Sequence, residues 1–111
     1  MYIIKIMTDF LHSPIWYCDR RGYEFAEEIE EFNDFLKDKK LNEAAEKLED
    51  LNDSFYHFDT NDQACFFDKE AEKENKDLIL QLLSTIKSRI NALNKGRFII
   101  EDHCTEYYES L

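Results

Sequence analysis

The stretch from Leu78 to Leu93, which with the preceding Asp77 reads DLILQLLSTIKSRINAL, decides the fold, and Asn94, Lys95 and Gly96 close it. At about 100° per residue, Ile79, Leu82, Leu83, Ile86, Ile90 and Leu93 fall in one apolar stripe. Asp77, Gln81, Ser84, Ser88 and Asn91 lie opposite, so the spacing predicts an amphipathic helix. Leu78 and Leu80 widen the stripe at its start, as expected of a central helix with neighbours on two sides. Gly96 can take the left-handed conformation that ends a helix, and Lys87, Arg89 and Lys95 bring positive charge to the negative end of the helix dipole.

Short β-branched runs lie towards the two ends of the chain. Tyr2, Ile3, Ile4, Ile6, Met7 and Phe10 predict a first strand, and Phe98, Ile99 and Ile100 a second that can run parallel to it after a right-handed crossover. His12, Ser13 and Pro14 turn the chain, and Ile15, Trp16 and Tyr17 are expected to form an aromatic lid on the core. Asp19, Arg20, Arg21 and Gly22 read as a polar loop.

From Tyr23 to Lys40 the spacing predicts a helix with Phe25, Ile29, Phe32 and Leu36 on one face and an acidic stripe of Glu27, Glu31, Asp34 and Asp38 on the other. A second helix is expected from Leu41 or Asn42 to Phe58, with Leu41, Ala44, Ala45, Leu48, Leu51 and Phe55 inside. Glu43, Glu46, Asp50, Asp53 and His57 would face outward, and Asn42 could cap the helix start. Asp59 to Asp62 reads as a loop; one of Phe66 and Phe67 must lie at a boundary or surface. Asp68 to Asp77 reads as an exposed lead-in, helical from about Lys69, and residues 102–111 as a short helix or an extended tail. The sum is one domain over residues 1–111: an α/β fold, predominantly α-helical, of order β-α-α-α-β with two short strands.

Composition narrows the function. The 111 residues carry a net charge of −11, and from Glu24 to Glu74 there are 18 acidic against 6 basic side chains. Phosphate contacts need a basic face, so nucleic acid and anionic membranes are excluded as expected partners and a basic partner is favoured; solvated helix faces are the plain alternative. Cys18, Cys65 and Cys104 form no C-x-x-C pair, and their odd number cannot close a full disulfide set, which fits a reducing cytoplasm. The N-terminal apolar run is too short for a signal peptide, and no window is apolar enough to span a membrane.

Catalytic motifs are missing: no glycine-rich phosphate loop, H-E-x-x-H or G-x-S-x-G occurs. His103 and Cys104 could meet His12 or Cys18 as zinc ligands, and His57 with Asp59 could form an acid/base pair. Ordinary surface residues account for both groups, and no catalytic residue, metal or cofactor is expected. The charge has a more specific use. Toxic nucleases are basic because they bind phosphates, and an inhibitor gains steering and occlusion by presenting carboxylates with a few aromatic anchors, here Tyr23, Tyr56, Phe66 or Phe67.

The segments IKIMTDF (Ile4–Phe10), SPIW (Ser13–Trp16), LNDSFYHFD (Leu51–Asp59) and FIIED (Phe98–Asp102), in this order around an acidic region and a long Leu-rich helix, resemble small bacterial immunity proteins encoded beside polymorphic toxins, including those of contact-dependent growth inhibition. The resemblance implies a cytoplasmic, non-enzymatic protein that binds a cognate toxin C-terminal domain and blocks it, a basic nuclease being the expected class. Charge and exposure make Glu27, Glu31, Asp34 and Asp38 the first expected interface residues, then Glu46, Asp50 and Asp53. An acidic adaptor or regulatory subunit without a toxin partner is the alternative; a small metal-dependent hydrolase is a third class.

Overall fold

A computed structural model describes residues 1–58 and 65–111. The fold is mixed α/β and mostly helical, as the sequence predicts, with strands beyond the two expected. Strand β1 (Ile3–Ile6) is central in a three-stranded sheet, antiparallel to β2 (Ile15–Cys18) and parallel to β5 (Ile99–Asp102). Ile3 faces Cys18 on one side and Ile99 on the other. The parallel pairing of the two predicted strands is therefore present. The Ile15–Tyr17 lid is itself a strand. Trp16 remains half-buried, its indole N–H donating to the Met7 carbonyl at 2.8 Å.

The long helix α4 (Lys76–Asn94) matches its sequence pattern closely. Ile79, Leu83, Ile86 and Ile90 are fully buried, while Asp77, Gln81, Ser84, Ser88 and Asn91 are exposed. It packs along α2 (Lys39–Ser54), whose Leu41, Ala44, Ala45 and Leu48 close the core together with Ile4, Ile6 and Ile15 of the sheet. Each buried Leu or Ile among them contributes about 1.5–3 kcal/mol of gross burial. The left-handed residue ending α4 is Lys95 (φ +50°), followed by Gly96 at φ +75°. Lys87 and Arg89 lie short of the last turn of α4, which holds no basic residue, and form ion pairs instead of opposing the dipole. Lys87 lies 3.2 Å from the Asp102 carboxylate, and Arg89 grips Asp38 with two nitrogens at 3.0 and 2.7 Å.

The helix expected over Tyr23–Lys40 does not form. The chain runs extended beside β2, with the Phe25 N–H donating to the Tyr17 carbonyl at 3.0 Å. A single 3₁₀ turn (Glu30–Phe32) and the four-residue α1 (Asn33–Leu36) then follow. The physical reason lies in the charges. Glu24, Glu27, Glu28, Glu30 and Glu31 would stack at i,i+3 and i,i+4 with no basic residue between Arg21 and Lys37 to offset them. Phe25, Ile29, Phe32 and Leu36 still turn inward, but along a different backbone path.

The second helix begins earlier and ends sooner than its expected bounds of Leu41 and Phe58. Asp38 caps it, accepting from the Leu41 N–H at 3.0 Å, whereas Asn42 donates its amide back to the carbonyls of Phe35, Leu36 and Asp38. Beyond Phe55 the chain leaves the helix for β3 (Tyr56–Phe58), which pairs antiparallel with β4 (Cys65–Phe67). The loop expected at Asp59–Asp62 lies outside the described residues. Phe66 is exposed and Phe67 half-buried, as their adjacency requires. Helix α3 (Lys69–Glu74) starts at the expected residue, capped by Asp68, and α5 (Thr105–Glu109) settles the form of the tail. Among the described residues no helix is long and apolar enough to cross a membrane.

Candidate partner-binding site

The acidic segment is held in place by a tight turn. The Asp19 carboxylate accepts from the N–H groups of Arg21 and Tyr23 at 2.8 and 3.1 Å, and Gly22 sits at φ +91°. A Cβ at Gly22 would meet the Lys5 Nζ at 3.1 Å, and that ammonium donates to the Gly22 carbonyl at 2.9 Å. Glycine is required here on both conformational and steric grounds. From this anchor Tyr23 to Ile29 passes over β2 and encloses a depression of about 190 Å³. Tyr17, Phe25, Ile29, Phe32 and Leu36 give it an apolar floor, and Glu24, Glu27 and Glu28 border it.

Glu24 is tied back: its carboxylate lies 2.7 Å from His12 Nε2, and the His12 ring stacks on Trp16 with centroids 3.6 Å apart. Burial lowers the affinity of His12 for its proton, but the Glu24 carboxylate and the Ser13 carbonyl outweigh it and raise the pKa. Glu27, Glu28, Glu30 and Glu31 are exposed and make no ion pair among the described residues. Four carboxylates within five residues, beside an apolar hollow, form a surface suited to the ammonium or guanidinium groups and aliphatic stems of a basic protein.

The seven expected interface residues separate into two groups. Glu27, Glu31, Glu46 and Asp50 are exposed and unpaired among the described residues. Asp34, Asp38 and Asp53 are engaged within the molecule. Asp34 lies 3.1 Å from Arg97; Asp38 caps α2 and binds Arg89; Asp53 accepts from the Leu11 N–H at 2.9 Å, where Leu11 is left-handed at φ +56°. The Arg89 guanidinium, aided by the Leu41 N–H and opposed by burial, lowers the Asp38 pKa. The predicted stripe of Glu27, Glu31, Asp34 and Asp38 on one helix face is thus corrected, because no helix carries it. Asp50 borders a shallow groove with Leu78 and Leu82, which shares no residue with the hollow beside Glu27.

Of the expected aromatic anchors, Tyr23 and Phe66 are exposed, and Tyr56 and Phe67 are half-buried. No group of three His, Cys, Asp or Glu among the described residues is placed to hold a metal. Cys18 and Cys104 are buried; burial pushes the Cys104 thiol up to about 12, so it remains protonated and inert at neutral pH. His57 lies 3.1 Å from Asp68, and its expected partner Asp59 is outside the described residues. His103 lies 2.9 Å from Glu101.

Two buried polar residues escape a reading by charge alone. Asn52 is 4% exposed and Glu72 2% exposed, although Asp68 to Asp77 reads as a solvated lead-in. A signal exists for each. Asn52 takes the next core position after Leu41, Ala45 and Leu48 and before Phe55, and Glu72 stands seven residues before Ile79. No family model, curated protein or solved structure matches the chain.

Proposed function

We propose that this chain is an immunity protein that binds a basic toxin domain, a nuclease being the favoured class, and masks its active cleft without catalysis of its own. The supporting observation is the run Glu27, Glu28, Glu30 and Glu31, exposed and unneutralised beside the apolar hollow under Phe25 and Ile29. Holding like charges together costs self-repulsion, and a basic partner recovers it while the charge accelerates encounter. In this reading the protein acts in the cytoplasm, where a toxin delivered from outside or made in the same cell must be blocked. Glu27 and Glu31 lead the interface, and Glu46 and Asp50 on α2 steer from outside it.

The test uses the C-terminal domain of the protein encoded immediately upstream, taken as the candidate toxin. Glu27→Lys with Glu31→Lys should slow association about tenfold at low salt and flatten the dependence of rate on ionic strength. An unchanged rate and salt slope would remove this segment from the interface. The alternative, an acidic adaptor with no toxin, also predicts a basic partner but no protection from toxicity.

A further inference from the structure

A second cavity, of about 300 Å³, is lined by Asn52, Tyr56, Phe67, Glu72 and Tyr107, with Met7 and His103 also in its wall. Its volume is at the lower end of the range for small-molecule sites. Two polar groups in the wall are of interest, one without a hydrogen-bond partner and one without a counter-charge. The Asn52 Nδ2 is buried and has no hydrogen-bond partner. The Glu72 carboxylate accepts from the Tyr107 hydroxyl at 2.6 Å, yet no Lys, Arg or His pairs with it among the described residues, and residues 59–64 contain none of these.

The unpartnered Asn52 amide N–H and a Glu72 carboxylate with one hydrogen bond and no counter-charge leave room in this wall for an entering polar group. The carboxylate calls for a cation with N–H donors. The amide calls for an oxygen acceptor. Tyr56, Phe67 and Tyr107 make the wall aromatic, which suits an ammonium group on a short carbon frame. Tyr107 is 49% exposed and marks the mouth. We propose that this cavity binds a primary ammonium group carrying a neighbouring oxygen acceptor, the ammonium against Glu72 and the oxygen against Asn52. A free amino-acid derivative or amino alcohol and the N-terminus of a peptide share this chemistry. The site shares no residue with the hollow beside Glu27.

Only two methionines occur, and Met7 lines the cavity while Met1 is 64% exposed, so ¹³C-methyl methionine NMR gives a reporter and an internal control in one sample. Glycinamide, leucinamide and ethanolamine should shift Met7 saturably and leave Met1 unmoved. N-acetylglycinamide, which lacks the charge, and propylamine, which lacks the acceptor, should bind about tenfold more weakly or worse. Glu72→Gln, isosteric and uncharged, should abolish the preference for leucinamide over its N-acetyl derivative. A dipeptide amide binding more tightly than leucinamide marks a peptide N-terminus as the source, and the reverse order marks a free small molecule. Equal responses to charged and neutral probes, or no Met7 shift with any of them, would overturn the proposal. The wild-type comparison among probes decides the matter even if Glu72→Gln folds poorly.

Discussion

Replacing Asp38 decides, by the sign of a stability change, whether a helix boundary falls at this residue. As folded, Asp38 caps α2 through the Leu41 N–H at 3.0 Å and also holds Arg89 of α4. Asp38→Ala removes the cap, which alone costs about 0.5–2 kcal/mol. For a chain of this length about 1 kcal/mol corresponds to ~4 °C in Tm, so the drop should be roughly 2–8 °C. Were Asp38 instead the outer residue of a continuous helix, alanine would be the better helix former and Tm would rise by about 2 °C. Asp38→Asn isolates the ion pair, because asparagine caps as well as aspartate. The Asp38 pKa is lowered from 3.8 on folding, so its charge contributes stability that is present above that value and lost as pH falls through the lower, folded value. The gap between wild type and Asp38→Asn should therefore be full at pH 6 and shrink below about pH 4. Thermal melts followed by circular dichroism measure all three variants. A rise in Tm for Asp38→Ala would refute the cap and the helix boundary that it marks at residue 38.

Further outcomes follow from burial and charge. Ile86 is fully buried and Leu82 only partly so. Ile86→Asp should abolish cooperative unfolding by placing an unpaired carboxylate in the core, whereas Leu82→Asp should fold with a loss of about 1–2 kcal/mol in a urea titration. Burial opposes ionisation of Asp102, but hydrogen bonds from Thr105 and the Cys104 N–H together with Lys87 bring its pKa down to about 2. Its contribution should persist above pH 4 and vanish between pH 4 and 2, which Asp102→Asn measured across that range will show as a converging pair of curves. Gly22→Ala should lower Tm, because φ is +91° and the new methyl would press on Lys5 at 3.1 Å; an unchanged melt would contradict that geometry.

The long helix was legible because its apolar period is unbroken and its polar face is continuous, and β1 and β5 because their Ile runs have no helical spacing. The acidic segment was not. Its inward residues Phe25, Ile29, Phe32 and Leu36 keep a helical spacing, but spacing records burial and not backbone conformation, and the glutamates between them oppose a helix. β2 was hidden behind Pro14 in four residues with no clean alternation, and β3 continues the apolar pattern of α2 without a glycine or proline to mark the break. The exposure of Glu27, Glu31, Glu46 and Asp50 could be read from charge alone, because charged side chains usually stay in water. Asp38 and Asp53 could not be distinguished from them, since a cap and a contact to Leu11 depend on residues 3 and 42 positions away. The Asn52 and Glu72 cavity needs α2, α3 and α5 in place, and only their positions on core stripes hint at it.

Growth of cells that express the C-terminal domain of the protein encoded immediately upstream, with and without this chain, tests the proposed function most directly. Wild-type protein should restore growth, and Glu27→Lys with Glu31→Lys should restore it less at equal expression. Equal killing with and without the wild-type protein would contradict an immunity role and leave the acidic surface to a different basic partner.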